Sequence, residues 1–185
     1  MSALPKHSRM TVDDFLAWAA TQPGRWELFD GLPVEMPSER AIHGRVKYLV
    51  ARALDSAIEA AGVPCQFLLD SVAVRIDTYR SYQPDALIYC GQPVPGDAVE
   101  VPNPVVVVEI LSPSNAMKDL RDKLVGYFRV PSVVHYLIVD PDDRLVIHHA
   151  RGEGDAITTR IVSAGSLSLD PPGIQLVVGE LFPAA

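Results

Sequence analysis

Two acids and a lysine stand out as residues able to do chemistry together: Asp85, Glu109 and Lys123. Glu109 follows Val105-Val106-Val107-Val108, a run that is apolar at every position. Such a run reads as a strand buried on both faces, in the middle of a sheet. A carboxylate at that depth is costly unless a cation, a donor or a proton meets it. Asp85 stands in Gln83-Pro84-Asp85-Ala86-Leu87-Ile88-Tyr89-Cys90. Pro84 cannot donate to a β-ladder, which puts Asp85 at the entry of the strand. Suppose the two strands pair antiparallel through the loop from Gly91 to Asn103. A register with Cys90 opposite Pro104 then sets Asp85 opposite Glu109, with Cβ atoms about 5 Å apart. Like charges so placed repel, and a hard divalent cation relieves the conflict, since carboxylate oxygens suit Mg2+ or Mn2+. Each acid alone has an ordinary reading: an Asp after a proline is commonly a turn residue, and a Glu after valines can mark a strand end.

The lysine belongs to a third element. Asp119, Lys123 and Tyr127 recur every four residues, on one face of a helix. Leu120, Leu124 and Phe128 form the neighbouring apolar stripe. Alone, this is the pattern of a surface ion pair worth a few tenths of a kcal/mol. It gains meaning if the helix leans over the two acids. Lys123 could then stabilise charge on a phosphate or orient an attacking water.

The elements that must position these groups follow from hydrophobic spacing. Thr11 opens a helix with Asp13 and Asp14 in its first turn, where acids suit the helix dipole. Asp30-Gly31 separates Arg25–Phe29 from Leu32–Met36 and predicts a hairpin, with Pro33 making the second strand an edge strand or a short one. Ile42, Val46, Leu49, Val50, Ala53, Leu54, Ala57 and Ile58 predict a helix over 38–61, stopped by Gly62. Strands are expected over 63–69, 72–76, 86–90 and 105–111. A helix from Asn115 to about Arg129 comes next, before Pro131, and then strands over 134–140, 145–149, 157–162 and 174–178. This order predicts a single α/β (α+β) domain over 1–185 around one central mixed sheet.

The chain has 185 residues, 48% hydrophobic and 21% charged, the profile of a globular domain. No apolar run approaches the length that spans a bilayer. The segment from Met1 to Met10 has no apolar stretch after its basic residues, and the expected location is cytoplasmic. Cys65 and Cys90 lie in apolar strand-like runs and read as two small buried thiols in a reducing compartment. His148 and His149 are adjacent, so on a strand they face opposite ways and do not easily share a metal. A net charge of −7 argues against passive adhesion to nucleic acid, though a local basic cleft or a dimer can offset it.

As a set, Pro84-Asp85, VVVVEILSPS over 105–114 and DLRDKLVGY over 119–127 resemble the Uma-type restriction-endonuclease family of the PD-(D/E)XK superfamily. WELFDG over 26–31, the helix beginning near His43 and HYLIVDP over 135–141 carry the resemblance from about residue 11 to 182. It implies a restriction-endonuclease-like core, a mixed sheet flanked by helices. It also implies a Mg2+-dependent (or Mn2+-dependent) endonuclease cutting phosphodiester bonds of nucleic acid, DNA first. Asp85 and Glu109 match the motif acids. With the backbone carbonyl of Ile110 they would hold the metal, and Lys123 would complete the catalytic set. The superfamily's lysine two residues after the Glu is replaced by Leu111, so Lys123 stands in from the next helix. Glu27, His43, Asp119 and Tyr127 are further candidates. Glu27 is also a fitting hairpin residue, His43 reads as a helix residue near the site ahead of a ligand, and Tyr127 reads at least as readily as a core residue. A homodimer would suit the two-fold symmetry of a duplex. Three rivals remain open: an inactive binding or assembly module, a phosphoesterase on small or single-stranded substrates, and a β-rich structural protein with the two acids far apart.

Overall fold

Local signals start the fold. Thr11 caps helix α1 (Val12–Ala19) through a capping box with Asp14. Asp30 and Gly31 take positive φ angles of 50° and 81°, the conformation a two-residue hairpin turn requires, and join β1 (Trp26–Phe29) to β2 (Leu32–Glu35). Gly62 ends the long helix α2 (Ala41–Ala61) in the left-handed conformation. The computed structural model describes residues 9–112 and 117–184, with the side chains of 117–119 excepted.

The middle strands are β3 (Cys65–Leu69), β4 (Val74–Asp77), β5 (Arg80–Tyr82), β6 (Ala86–Cys90) and β7 (Pro104–Ile110). Helix α3 (Met117–Tyr127) follows, and then β8 (His135–Asp140), β9 (Leu145–Arg151), β10 (Ile157–Val162), β11 (Ser166–Leu169) and β12 (Ile174–Val177). The expected helix start at Asn115 lies outside the described residues. Among the described residues the strands form a central mixed sheet, as expected, and two smaller sheets beside it. A six-stranded mixed sheet runs β10-β9-β8-β7-β6-β3, with β7 and β8 parallel. A four-stranded sheet, β2-β1-β5-β4, carries the hairpin with β2 at its edge, and β11 pairs with β12. β5 and β11 were not expected. β5 has only three residues, and β11 is a four-residue Ser-Leu-Ser-Leu alternation whose leucines face the core.

Helices cover both faces of the main sheet. Val46, Val50 and Leu54 of α2 pack with Ile88, Val106 and Val108, together with the β11–β12 hairpin. On the other face Tyr127, Leu120 and Leu124 of α3 pack with Leu87, Val107 and Tyr136. This explains why the run Val105–Val108 of β7 is apolar at every position: both faces of the strand are roofed.

The β6–β7 ladder is antiparallel, with Ala86 opposite Val108 and Ile88 opposite Val106. Continued by one residue, it brings Asp85 level with Glu109, as the sequence suggested. At the far end a bulge intervenes, and Tyr89, not Cys90, faces Pro104. Cys90 instead faces Cys65 across the β3–β6 pair, and the two form a disulfide. The reading of two separate thiols is therefore corrected. That pairing depends on a strand register that residues 25 apart do not reveal.

Candidate active site

Four elements converge below a cavity of about 870 Å3. The C-terminal end of β7 supplies Glu109, the entry to β6 supplies Asp85, β1 supplies Glu27, and α3 supplies Lys123 and Tyr127. All five side chains are buried. Helix α2 adds His43 and Lys47, also buried.

Two groups of contacts divide the floor. In the first, the Lys123 ammonium lies 3.0 Å from Glu109 Oε1 and 3.0 Å from Glu27 Oε1. The Tyr127 hydroxyl donates to Glu109 Oε1 at 2.6 Å, and the Gln83 backbone N–H donates to Glu27 Oε1 at 2.8 Å. In the second, Asp85 Oδ2 accepts the Ile110 backbone N–H at 2.6 Å. Asp85 Oδ1 lies 3.2 Å from His43 Nε2 and 3.1 Å from Lys47 Nζ. Because the carboxylate can only accept, His43 carries its proton on Nε2.

These surroundings drive the two acids apart in proton affinity. Burial pushes Asp85 upward, but the His43 hydrogen bond, the Lys47 charge and the Ile110 N–H outweigh it and hold its pKa at about 2. Burial also pushes Glu109 upward. There the negative charges of Glu27 and Asp85 add to it, while Lys123 and Tyr127 oppose it, and the pKa stands at about 8. Tyr127 is raised well above a normal phenol, by burial first and then by Glu109, so it stays a donor at neutral pH.

The structure thus brings Asp85, Glu109, Lys123, Glu27 and His43 to one cavity floor, with Tyr127 buried behind it and bonded to Glu109. The Asp119 side chain lies outside what is described. Sequence reasoning missed Lys47, Glu39 and Asp70. Lys47 Nζ lies 2.8 Å from Glu39 Oε1, 2.5 Å from Asp70 Oδ2 and 3.1 Å from Asp85 Oδ1. Its signal was present in the sequence: Glu39, two residues before α2, and His43 and Lys47 within it recur every four residues.

The donors suit a hard cation. Among the described residues, Glu39, His43 and Asp85 each offer one ligand atom within 4.8 Å of the others. Glu109 and Glu27 line the same cavity. Oxygen-rich sites with at most one imidazole fit Mg2+ or Mn2+ better than a softer metal.

A mixed sheet roofed by helices on both faces, with acids at adjacent strand ends, is a restriction-endonuclease-like α+β core. The sequence model of the family described as "Uma2: Putative restriction endonuclease" matches residues 12–179, and the chain belongs to that family. An uncharacterized protein of Synechocystis sp. is 22% identical over 176 residues, covering 94% of this chain and 92% of that protein. The crystal structure of a putative nuclease belonging to DUF820, from Anabaena variabilis, superposes with a TM-score of 0.72 at 15% identity. It covers 93% of this chain and 97% of the other, so the two share the fold along nearly their whole length. Among the described residues no helix is long and apolar enough to cross a membrane.

Proposed function

We propose that the protein is a Mg2+-dependent or Mn2+-dependent endonuclease that hydrolyses phosphodiester bonds of nucleic acid, with DNA as its substrate and the whole chain acting as one domain. The observation that carries this reading is the burial of Asp85 and Glu109 at adjacent strand ends, with Lys123 reaching Glu109 from the following helix.

Asp85, Glu109 and the Ile110 backbone carbonyl would hold the ion. When bound, a divalent cation there supplies Lewis acidity to a phosphate and lowers the pKa of water. Asp85, already ionised, binds without giving up a proton. Glu109 must first lose one. Lys123 stabilises the negative charge that grows on the phosphate oxygens, and Tyr127 fixes the Glu109 carboxylate. Glu27 orients Lys123, and His43 orients Asp85. Arg121 and Arg129 on the cavity wall supply positive charge to a phosphate backbone. A homodimer would match the symmetry of a cut duplex. A cytoplasmic setting fits this substrate, and there the Cys65–Cys90 bond would be under reducing pressure.

The test is nicking of supercoiled plasmid by purified protein with Mg2+ or Mn2+, beside Asp85→Ala and Lys123→Ala. Nicking by the native chain alone supports the reading, and equal nicking by all three assigns it to a contaminant. The net charge of −7 favours a second reading, a phosphoesterase acting on small or single-stranded substrates. Parallel assays on nucleotides, single strands and duplexes separate the two.

A further inference from the structure

Lys47 has no counterpart in the roles assigned above. It sits on α2, one turn beyond His43, with only 8% of its surface exposed. The apolar stripe that docks α2 on the sheet does not need it, since Val46, Val50 and Leu54 fill that face. Its ammonium is surrounded by carboxylate oxygens: both oxygens of Glu39 at 2.8 and 2.9 Å, Asp70 at 2.5 Å and Asp85 at 3.1 Å. Arg25 reaches Glu39 and Asp70 from outside, each at 2.6 Å, but has no contact with Asp85. Three acids therefore meet two cations, and Lys47 is the cation that reaches the proposed metal ligand. Glu39 and Asp85 also belong, with His43, to the group whose ligand atoms lie within 4.8 Å of one another. The ammonium stands among donors that would otherwise suit a hard cation.

We propose that Lys47 is a built-in cation that takes the place of a second divalent ion beside Asp85, so that the chain binds one ion where the bare acids would bind two. This rests on the reading of Asp85 as a metal ligand. An ammonium is a compact point charge with three donors, able to satisfy several carboxylates at once. Lys47 holds Glu39 and Asp70 away from a second ion and leaves the Glu109 side of Asp85 for the first.

The test is Mn2+ stoichiometry, followed by the electron-paramagnetic-resonance signal of free Mn2+ as the full-length protein is titrated at pH 7.5. The native chain and Lys47→Arg are expected to take one ion per chain. Lys47→Gln and Lys47→Met, which keep bulk but lose the charge, are expected to take two. Circular dichroism confirms that each variant is folded, and the methionine variant stands in if the glutamine one is not. One ion in the native chain and one or none in both neutral variants overturns the role of Lys47 and leaves the metal reading standing. Two ions in the native chain also overturns it. No ion in any variant sinks the metal reading and this inference together.

Discussion

The Lys123 ammonium stands 3.0 Å from Glu109 Oε1, buried at the cavity floor. The same nitrogen reaches Glu27, so it neutralises two carboxylates that would otherwise repel. Replacing it by methionine keeps the stem and removes the charge. Cleavage should fall about 10²- to 10³-fold, the loss typical of one preorganised electrostatic group, read as single-turnover nicking. The metal-free variant should lose more melting temperature at pH 9 than at pH 6. At the lower pH Glu109 can take up a proton and lessen the repulsion from Glu27. An equal loss at both values would mean that Lys123 does not govern the charge of Glu109.

Glu109 makes native stability depend on pH. Its pKa stands at about 8, above the ordinary 4.5. The folded state therefore binds the proton more tightly than the unfolded state. The resulting stability is fully present below pH 4.5 and is lost as pH rises through about 8. Tyr127 and Lys123 both contact Oε1, which leaves Oε2 to carry that proton. Glu109→Gln mimics the neutral form. In chelator at pH 9 it should be more stable than the native chain by on the order of 1 kcal/mol or more, and the difference should vanish near pH 4. Urea denaturation at the two pH values measures it.

Much of this site was legible before any coordinates. The valine run placed Glu109 in a central strand because complete apolarity means cover on both faces, and α2 and α3 supply that cover. Pro84 placed Asp85 at a strand entry because it cannot join a ladder. The Asp30-Gly31 turn, Thr11 cap and Gly62 stop were readable because each is a local conformational preference. Long-range facts were not readable. The bulge after Ile88, the Cys65–Cys90 pairing and the division into three sheets depend on strand partners distant in sequence. Lys47 was missed because a lysine on a long amphipathic helix ordinarily faces water. Only the fold shows that it turns into the acids.

Tyr127 ties α3 to the chemistry through one hydrogen bond. Its ring also packs against Tyr82, centroids 5.6 Å apart, and Tyr136, at 5.1 Å. Tyr127→Phe keeps the rings and removes the donor to Glu109. Because Lys123 still meets the same oxygen, the stability loss should stay near 1 kcal/mol. The lost bond favoured the ionised carboxylate, so the pKa of Glu109 should rise further and Mn2+ binding at pH 7 should weaken. Calorimetric titration with Mn2+ checks this. Unchanged affinity would show that Tyr127 only packs.

Gly126 sets how closely α3 can approach the sheet. A Cβ there would come within 2.5 Å of Tyr82 Cε2, and that ring is buried against Phe29 and Tyr127. The ring is held between those two neighbours, so Gly126→Ala is expected to push the helix outward. Alanine improves helix propensity by about 1 kcal/mol, yet overpacking in a filled core costs about 1–3 kcal/mol, and the clash should win. Lys123 and Tyr127 ride on the same helix, so a small outward shift also lengthens both contacts to Glu109. The expected result is a lower melting temperature together with weaker Mn2+ binding. A variant as stable as the native chain, with unchanged Mn2+ affinity, would show that the Tyr82 ring yields and that α3 is not held at this distance by the glycine.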